Sequence, residues 1–245
     1  MVVVTGGSRG IGAATARLGA AAGWDVCISY RERADAAARV VENCERLGVR
    51  ALAVPADVAD EQDVLRLFAT ARESLGVLRG LVNNAGVLDR QSRVVDLDAA
   101  RIERILAVNV LGAFLCAREA VRVMSTGRGG AGGSIVNVSS RAAVLGGAGE
   151  YVDYAASKAA VDALTVGLAR EVADEGIRVN AVRPGLIDTE IHASGGEPGR
   201  VERLRGAVPM QRGGTSEEVA ETILWLLSDR ASYVTGSMID VSGGR

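Results

Sequence analysis

Short apolar runs rich in valine and isoleucine alternate with helical patterns along the whole chain. The runs are nearly continuous instead of alternating with polar residues, which is typical of strands that are buried on both faces. They predict seven strands, at 2–4, 25–28, 51–54, 81–82, 134–138, 177–182 and 238–241. Between them, segments rich in alanine and arginine predict helices at 11–22, 33–47, 60–75, 98–124, 152–174 and 216–228.

This alternation predicts an α/β protein with a doubly wound, seven-stranded parallel sheet and helices on both faces, which is the Rossmann arrangement. No change of composition marks a second domain and no repeat is visible, so residues 1–245 are expected to form a single dinucleotide-binding domain. Of two glycine-rich segments, 127–133 predicts a surface turn. The other, 193–199, predicts a loop beside the ligand crevice.

Composition narrows the class of protein. Apolar residues make up 48% and charged residues 24% of the chain, as in ordinary globular proteins. The net charge of −2 and the aromatic content of 3% predict no nucleic-acid partner. The longest apolar stretch is too short to span a bilayer, so we expect no membrane partner and a cytoplasmic location. Three cysteines without a CxxC pair and a single histidine argue against disulfides and against a metal site.

A glycine-rich loop follows the first predicted strand and reads TGGSRGIG over residues 5–12. Glycine lets such a turn close and lets the backbone approach a pyrophosphate at the start of a helix. The loop therefore predicts a dinucleotide phosphate site, and a plain strand-to-helix turn is the alternative. The residues expected to bind the cofactor here are Gly6, Ser8, Arg9, Gly10, Ile11 and Gly12.

A tyrosine and a lysine four residues apart predict acid–base chemistry. Tyr154 and Lys158 share one face of a predicted helix. A neighbouring cation favours the phenolate, so Lys158 is expected to lower the pKa of Tyr154, which can then exchange a proton with a carbonyl or alcohol oxygen. Ser140 ends a predicted strand upstream and offers a hydroxyl that can hold the reacting oxygen, with Ser139 as the alternative.

These motifs, with NNAG at 83–86, AVNVLG at 107–112 and RPG at 183–185, resemble the short-chain dehydrogenase/reductase family. The resemblance covers essentially the whole chain and indicates the branch of about 250 residues. Two features depart from the family pattern. The interval between Ser140 and Tyr154 is one residue longer than the commonest spacing, and the first strand begins at Met1, where relatives usually carry a few more residues.

The resemblance implies a catalytic set. Tyr154 would be the general acid and base, and Lys158 would lower its pKa and bind the nicotinamide ribose. Ser140 would hold the substrate oxygen, and Asn109 would bind a water that connects Lys158 to solvent. From the residues alone, Asn109 predicts only a kinked helix, and Asp57 could equally begin the helix near residue 60. Further cofactor contacts are implied at Asp57, Val58, Asn83, Ala85, Gly86, Pro184, Gly185, Ile187 and Thr189.

The end of the second strand predicts which dinucleotide is used. An acid there would bind the ribose hydroxyl of NAD, but the strand ends in Tyr30 and Arg31. Arg31, together with Arg9 from the glycine loop, favours the extra phosphate of NADP. Glu32 can still bind a ribose or pair with Arg31, so the use of NAD also stays open.

The expected function is an NADP-dependent oxidoreductase that interconverts a small-molecule alcohol and a carbonyl. Within the family, YVDYAASK and HASGGEPGRV resemble a group named sugar (glucose 1-) dehydrogenase-like. One alternative is a 3-oxoacyl-carrier-protein reductase, for which Arg118 and Arg122 would help to bind the acidic carrier. The other is a non-catalytic dinucleotide-binding regulator. No charged cluster in 141–152 or 186–205 predicts a ligand, and His192 is expected to be an ordinary loop residue.

The two longest predicted helices, 98–124 and 152–174, carry small and apolar residues on more than one face. A monomer would expose part of these faces, and the family forms four-helix contacts there, so we expect a homotetramer. The residues on which this expectation rests include Leu111, Ala113, Ala160 and Leu164.

Overall fold

Seven parallel strands form one sheet in the computed structural model, which describes residues 1–245. Strands β1 to β7 are Val2–Val4, Val26–Tyr30, Ala51–Pro55, Gly80–Asn83, Gly133–Val138, Ile177–Pro184 and Met238–Val241. Their order across the sheet is β3-β2-β1-β4-β5-β6-β7. The chain builds outward from β1 to β3 and then returns to place β4 beside β1, so a crevice opens at the carboxyl ends of these two strands. The predicted fold class is confirmed.

Helices cover both faces of the sheet. Helices α1 to α10 are Gly10–Ala21, Ala34–Glu45, Glu61–Leu75, Ala99–Leu106, Gly112–Met124, Ala142–Leu145, Val152–Glu171, Ile191–Ser194, Arg200–Leu204 and Ser216–Leu227. One apolar core lies between the sheet and helices α1, α2 and α10. A second lies between the opposite face and helices α3, α5 and α7. The central strands are apolar on both faces because they contribute to both cores.

The predicted helix at 98–124 is in fact two helices, separated by a π-helical turn at Ala107–Leu111. Asn109 lies in this turn and is 1% exposed. Its Oδ1 accepts a hydrogen bond from the amide of Val87 at 2.8 Å, and its Nδ2 donates to the Val87 carbonyl and to Ser157 Oγ, both at 3.0 Å. A widened turn is a common way to aim a side chain at a functional site, and here it joins α4 and α5 to α7 and the segment after β4.

Three short helices, α6, α8 and α9, lie in segments where the sequence pattern predicts no helix. Each has four or five residues, which is too short for an apolar periodicity to be visible. All three lie near the carboxyl ends of the strands. No helix in the protein combines the length and the apolar character that crossing a membrane would require.

Candidate active site

A cavity of about 600 Å³ lies at the carboxyl edge of the sheet. Residues that follow all seven strands line it, including Gly6, Arg31, Asp57, Asn84, Ser140, Gly185 and Arg245. Nearly all of the residues predicted to act in catalysis or cofactor binding lie on its wall. The exceptions are Gly12, Asn83 and Asn109, which do not line it.

The glycine loop closes as tightly as its spacing predicts. Gly6 and Gly10 have φ angles of +61° and +52°, in the left-handed region that favours glycine. A Cβ atom on Gly12 would lie 2.5 Å from the carbonyl oxygen of Gly6, so Gly12 serves the packing of the loop. Helix α1 begins without a side-chain cap and has no acidic residue in its first turn. Its free amides and positive dipole end fit the phosphates of a dinucleotide.

The segment after β4 holds the glycine loop in place. Asn84 Nδ2 donates hydrogen bonds to the carbonyl oxygens of Thr5 and Gly6, at 2.8 and 3.0 Å. In return, Thr5 Oγ1 accepts from the amides of Asn84 and Ala85, both at 3.0 Å. Asn84 lines the cavity and is absent from the predicted site residues, although the NNAG motif could have identified it.

The neighbouring Asn83 does not line the cavity, and its implied contact with the cofactor stays a prediction. Its side chain is buried between β4, β5 and α5, where Nδ2 donates to the carbonyl of Ala113 at 3.1 Å and to Asn137 Oδ1 at 3.0 Å. Adjacent strand residues face opposite sides of a sheet, which explains why Asn83 faces the core. Its side chain therefore stabilises the fold instead of forming part of the cavity wall.

Tyr154 and Lys158 lie side by side on α7, as their spacing predicts. Lys158 Nζ is 5.7 Å from the centroid of the Tyr154 ring and donates a hydrogen bond to the carbonyl of Val138 at 2.8 Å. The lysine is 4% exposed. Burial lowers its pKa to about 8, against a smaller opposing effect of the Asp162 carboxylate. The cation of Lys158 is thus held at a fixed place by a backbone oxygen.

The pKa of Tyr154 is shifted in the direction opposite to the predicted one. Burial raises this pKa because it disfavours the charged phenolate, while the neighbouring Ser140 hydroxyl acts to lower it. The expectation that Lys158 sets the direction of the shift is therefore wrong for the protein alone. Desolvation by the cavity wall is the larger effect.

The two adjacent serines after β5 face different ways. Ser139 is 2% exposed, and its Oγ donates to the carbonyl of Lys158 at 3.1 Å. Ser140 is only half-buried, lies beside the phenol of Tyr154, and accepts from the amide of Ala142 at 3.1 Å. Of the two serines, Ser140 is therefore the one whose hydroxyl can reach a substrate oxygen at Tyr154.

Gly86 separates Asn109 from the cavity. A Cβ atom on Gly86 would lie 3.4 Å from both Asn109 Oδ1 and Lys158 Nζ, so Asn109, which does not line the cavity, lies near Lys158, which does. Both amide hydrogens of Asn109 already bind protein atoms. The water-binding role implied for Asn109 stays a prediction.

At the adenosine end of the cavity, both predicted phosphate-binding arginines are paired with carboxylates. Arg31 forms an ion pair with Glu32 and lies 3.8 Å from Asp57, and Arg9 lies 3.7 Å from Glu190. The Arg31 guanidinium lowers the pKa of Glu32 below its usual value. The arginines are in the predicted place, but each has a protein partner.

At the opposite end, the segment after β6 is stabilised by His192. Its Nε2 is 2.9 Å from the carbonyl oxygen of Ile187, so Nε2 is the nitrogen that carries the hydrogen, because a carbonyl can only accept. Its Nδ1 is buried without a partner, and burial lowers the pKa of the ring. His192 therefore supports the backbone of the loop at Ile187.

Four charged residues of the segments 141–152 and 186–205 come together in the structure, although the sequence does not predict their contact. Glu150, Glu197, Arg200 and Arg203 meet beside the cavity. The partners are separated by up to about fifty positions in the chain, so no local pattern indicates their contact.

The family model described as Enoyl-(Acyl carrier protein) reductase matches residues 6–245. A protein of Escherichia coli strain K12 named uncharacterized oxidoreductase YgfF is 56% identical over 245 residues, which cover 100% of this chain and 99% of that protein. The cis-4-hydroxycyclohexanecarboxylate dehydrogenase of Sinomonas cyclohexanicum is 43% identical over 248 residues, which cover 100% of this chain and 95% of that protein. A crystal structure of a short chain dehydrogenase from Burkholderia cenocepacia J2315 in complex with NADP has a TM-score of 0.91 at 36% identity. The match covers 99% of this chain and 96% of that one.

Proposed function

The chain belongs to the short-chain dehydrogenase/reductase family, and within it we propose an NADP-dependent enzyme that interconverts a small-molecule alcohol and a carbonyl. One observation carries the proposal: Tyr154, Lys158 and Ser140 face the same cavity as the glycine loop and Arg31. A proton donor and a dinucleotide site therefore share one cleft. The NADP complex of the Burkholderia structure supports the choice of cofactor.

The residues have separate tasks in carbonyl reduction. When bound, NADPH supplies the hydride. Tyr154 gives its phenolic proton to the carbonyl oxygen as the alcohol forms, and the Lys158 cation stabilises the phenolate that is left. Ser140 donates a hydrogen bond to the same oxygen and holds it near the phenol. In alcohol oxidation, the phenolate of Tyr154 takes the proton from the alcohol.

A small-molecule substrate is favoured over a carrier protein by the charges on α5. Arg118 pairs with Glu61 at 2.6 Å and with Glu119 at 2.9 Å, and Arg122 pairs with Glu119 at 2.8 Å. Each of the two arginines considered for binding an acidic carrier is thus neutralised within the chain. The dehydrogenase of Sinomonas, named for a hydroxylated ring, also supports a small cyclic alcohol.

A panel of compounds tests this proposal. The purified protein is mixed with NADPH and 4-oxocyclohexanecarboxylate, a 3-oxoacyl thioester or a steroid ketone, and with NADP and an aldose, while the absorbance of NADPH is followed. We expect turnover of the cyclic ketone or the aldose, and turnover at least about a hundredfold lower in the Tyr154→Phe variant. Binding of NADPH without turnover of any compound would favour the non-catalytic regulator instead.

We also propose a homotetramer, supported by apolar side chains on the outside of α4 and α5. Ile102, Leu106 and Phe114 are exposed, as is Leu111 in the turn between the helices. Leu164, expected on an outer face, is instead buried within the chain. Light scattering at micromolar concentration tests the proposal, and a stable monomer would contradict it.

A further inference from the structure

Arg200, the first residue of α9, is 8% exposed and is bound by two carboxylates. Its Nη2 lies 2.5 Å from Glu150 Oε2, and its Nη1 lies 3.3 Å from Glu150 Oε1. The same Nη1 donates to Glu197 Oε2 at 2.9 Å. A buried guanidinium needs such partners, because burying an unpaired charge is costly.

The guanidinium of Arg200 also packs on an aromatic ring beside the predicted acid–base residue. Its central carbon is 5.0 Å from the centroid of Tyr151, a cation–π distance. Tyr151 is 6% exposed and immediately precedes α7, which carries Tyr154. The carbonyl of Tyr151 accepts from the amide of Ala155 at 2.9 Å, so its backbone begins the first turn of that helix.

The carboxylate partners extend this network to a third segment. Gln91 Nε2 donates to Glu197 Oε2 at 2.6 Å, and the amide of Ser92 donates to the carbonyl of Glu150 at 2.9 Å. Arg200 thereby joins the segments that follow β4, β5 and β6. Leu88, Leu145 and Ile191 from these segments line the cavity, as do Glu150, Tyr151 and Arg200 themselves.

Both terminal nitrogens of the Arg200 guanidinium are bound by carboxylates, so this group is not available to bind a ligand directly.

Arg203 lies in the same network but differs in exposure. It pairs with Glu197 at 2.5 Å, and 51% of its side chain is exposed. Exposed ion pairs contribute little to stability, whereas removing one partner of a buried pair has a large effect. Arg203 is therefore a matched control.

We propose that Arg200 is a positioning residue of the substrate site, which fastens residues 141–151 and 191–204 to each other over the substrate end of the cavity. By holding them together, it limits the size of the group that can accompany a carbonyl to Tyr154. The effect of Arg200 on the substrate rests on the proposed function. Its effect on the contact between the two segments does not, and can be measured without turnover.

Hydrogen exchange of the NADP-bound protein tests the fastening. In the Arg200→Gln variant, we expect faster amide exchange in 141–151 and 191–204, with unchanged exchange in strands β1, β4 and β5. The Arg203→Gln variant should exchange like the unmodified protein. Unchanged exchange in the Arg200→Gln variant would overturn the proposal. An equal increase in all strands would also overturn it, because the role of Arg200 would then be general stability.

Kinetics tests the consequence for the substrate. With a ketone that the unmodified enzyme reduces, Arg200→Gln should raise KM by about tenfold while kcat and the Kd of NADPH change by less than about threefold. In this variant, KM should increase less for bulky ketones than for small ones. Arg200→Lys should give an intermediate KM, because a single ammonium cannot bind both carboxylates with a planar fork. A lower kcat with an unchanged KM would overturn the proposal. If no ketone is reduced although NADPH binds, the proposed function fails and hydrogen exchange alone decides the role of Arg200.

Discussion

The two ends of the cleft are built in different ways. At the catalytic end, Lys158 and Asn109 are 4% and 1% exposed, and both bind backbone carbonyl oxygens. At the adenosine end, the side chains of Arg31 and Glu32 are 52% and 71% exposed and bind each other. Buried groups with backbone partners have one position, whereas exposed charged side chains can exchange partners at little cost.

This difference corresponds to what each end has to do. Proton transfer requires the reacting atoms to be held within a fraction of an ångström of their productive positions. Choosing between two dinucleotides requires only a difference in affinity, and tenfold corresponds to about 1.4 kcal/mol. We therefore expect substitutions at the catalytic end to have large effects, and substitutions at the adenosine end to have small effects on selectivity.

The largest effect is expected from Tyr154→Phe, which removes only the phenolic hydroxyl. Turnover should fall by about 10²- to 10⁴-fold, the usual contribution of a general acid or base. The Kd of NADPH, measured by fluorescence titration, should stay nearly the same, which shows that the variant is folded. A variant that keeps more than about a tenth of the activity would rule out the role of Tyr154.

Lys158→Met should have a somewhat smaller effect on turnover, about a hundredfold, because it removes a charge instead of the transferable proton. Unlike Tyr154→Phe, it should also weaken NADPH binding, since the ammonium is expected to bind the nicotinamide ribose. Titration of both variants with NADPH distinguishes the two roles. An unchanged Kd in Lys158→Met would show that the ribose contact is wrong.

The pH dependence of alcohol oxidation tests the electrostatics of the same end. Only the phenolate of Tyr154 can accept a proton, and burial raises the pKa of this group. The rate should therefore increase with pH between about pH 6 and about pH 10. In Lys158→Met, the increase should move to higher pH because the stabilising cation is lost. A flat profile in the unmodified enzyme would contradict this account.

The sequence predicts the strands and the placement of Tyr154 beside Lys158 because these signals are local. The strands are visible as apolar runs, and a spacing of four residues is enough to place Tyr154 and Lys158 together on a helix. The pKa of Tyr154 could not be predicted in the same way. Its direction depends on how deeply the phenol is buried, and burial is a property of the assembled cavity.

The other features that the sequence does not predict depend on contacts between distant parts of the chain. Asn109, in the π-helical turn at Ala107–Leu111, binds Val87, and Arg200 pairs with Glu150. Neither contact has a periodicity or a spacing that a pattern could reveal. The sequence alone does not distinguish the roles of Asn83 and Asn84. In the structure, the side chain of Asn83 faces the core and that of Asn84 faces the glycine loop.

At the adenosine end, Arg31→Ala should change the choice of cofactor without a large loss of turnover. We expect the unmodified protein to bind NADP at least about tenfold tighter than NAD, and this substitution to remove most of that difference. The Kd values of both dinucleotides provide the measurement. Equal affinities in the unmodified protein would show that Arg31 does not select the cofactor.

The smallest effect is expected from Glu32→Gln, which tests whether the ion pair with Arg31 weakens the selection. Glu32 competes with the 2′-phosphate of NADP for the Arg31 guanidinium, and it can also accept a hydrogen bond from the ribose of NAD. Both effects have the same sign, so the substitution should increase the preference for NADP, by about threefold for an exposed pair. Glu42→Gln removes a similarly exposed carboxylate from α2 and serves as the control. If the affinity for NADP rises alone, the ion pair with Arg31 is the cause, and if the affinity for NAD falls alone, Glu32 binds the ribose. A lower preference for NADP would show that Glu32 does not oppose the selection of NADP by Arg31.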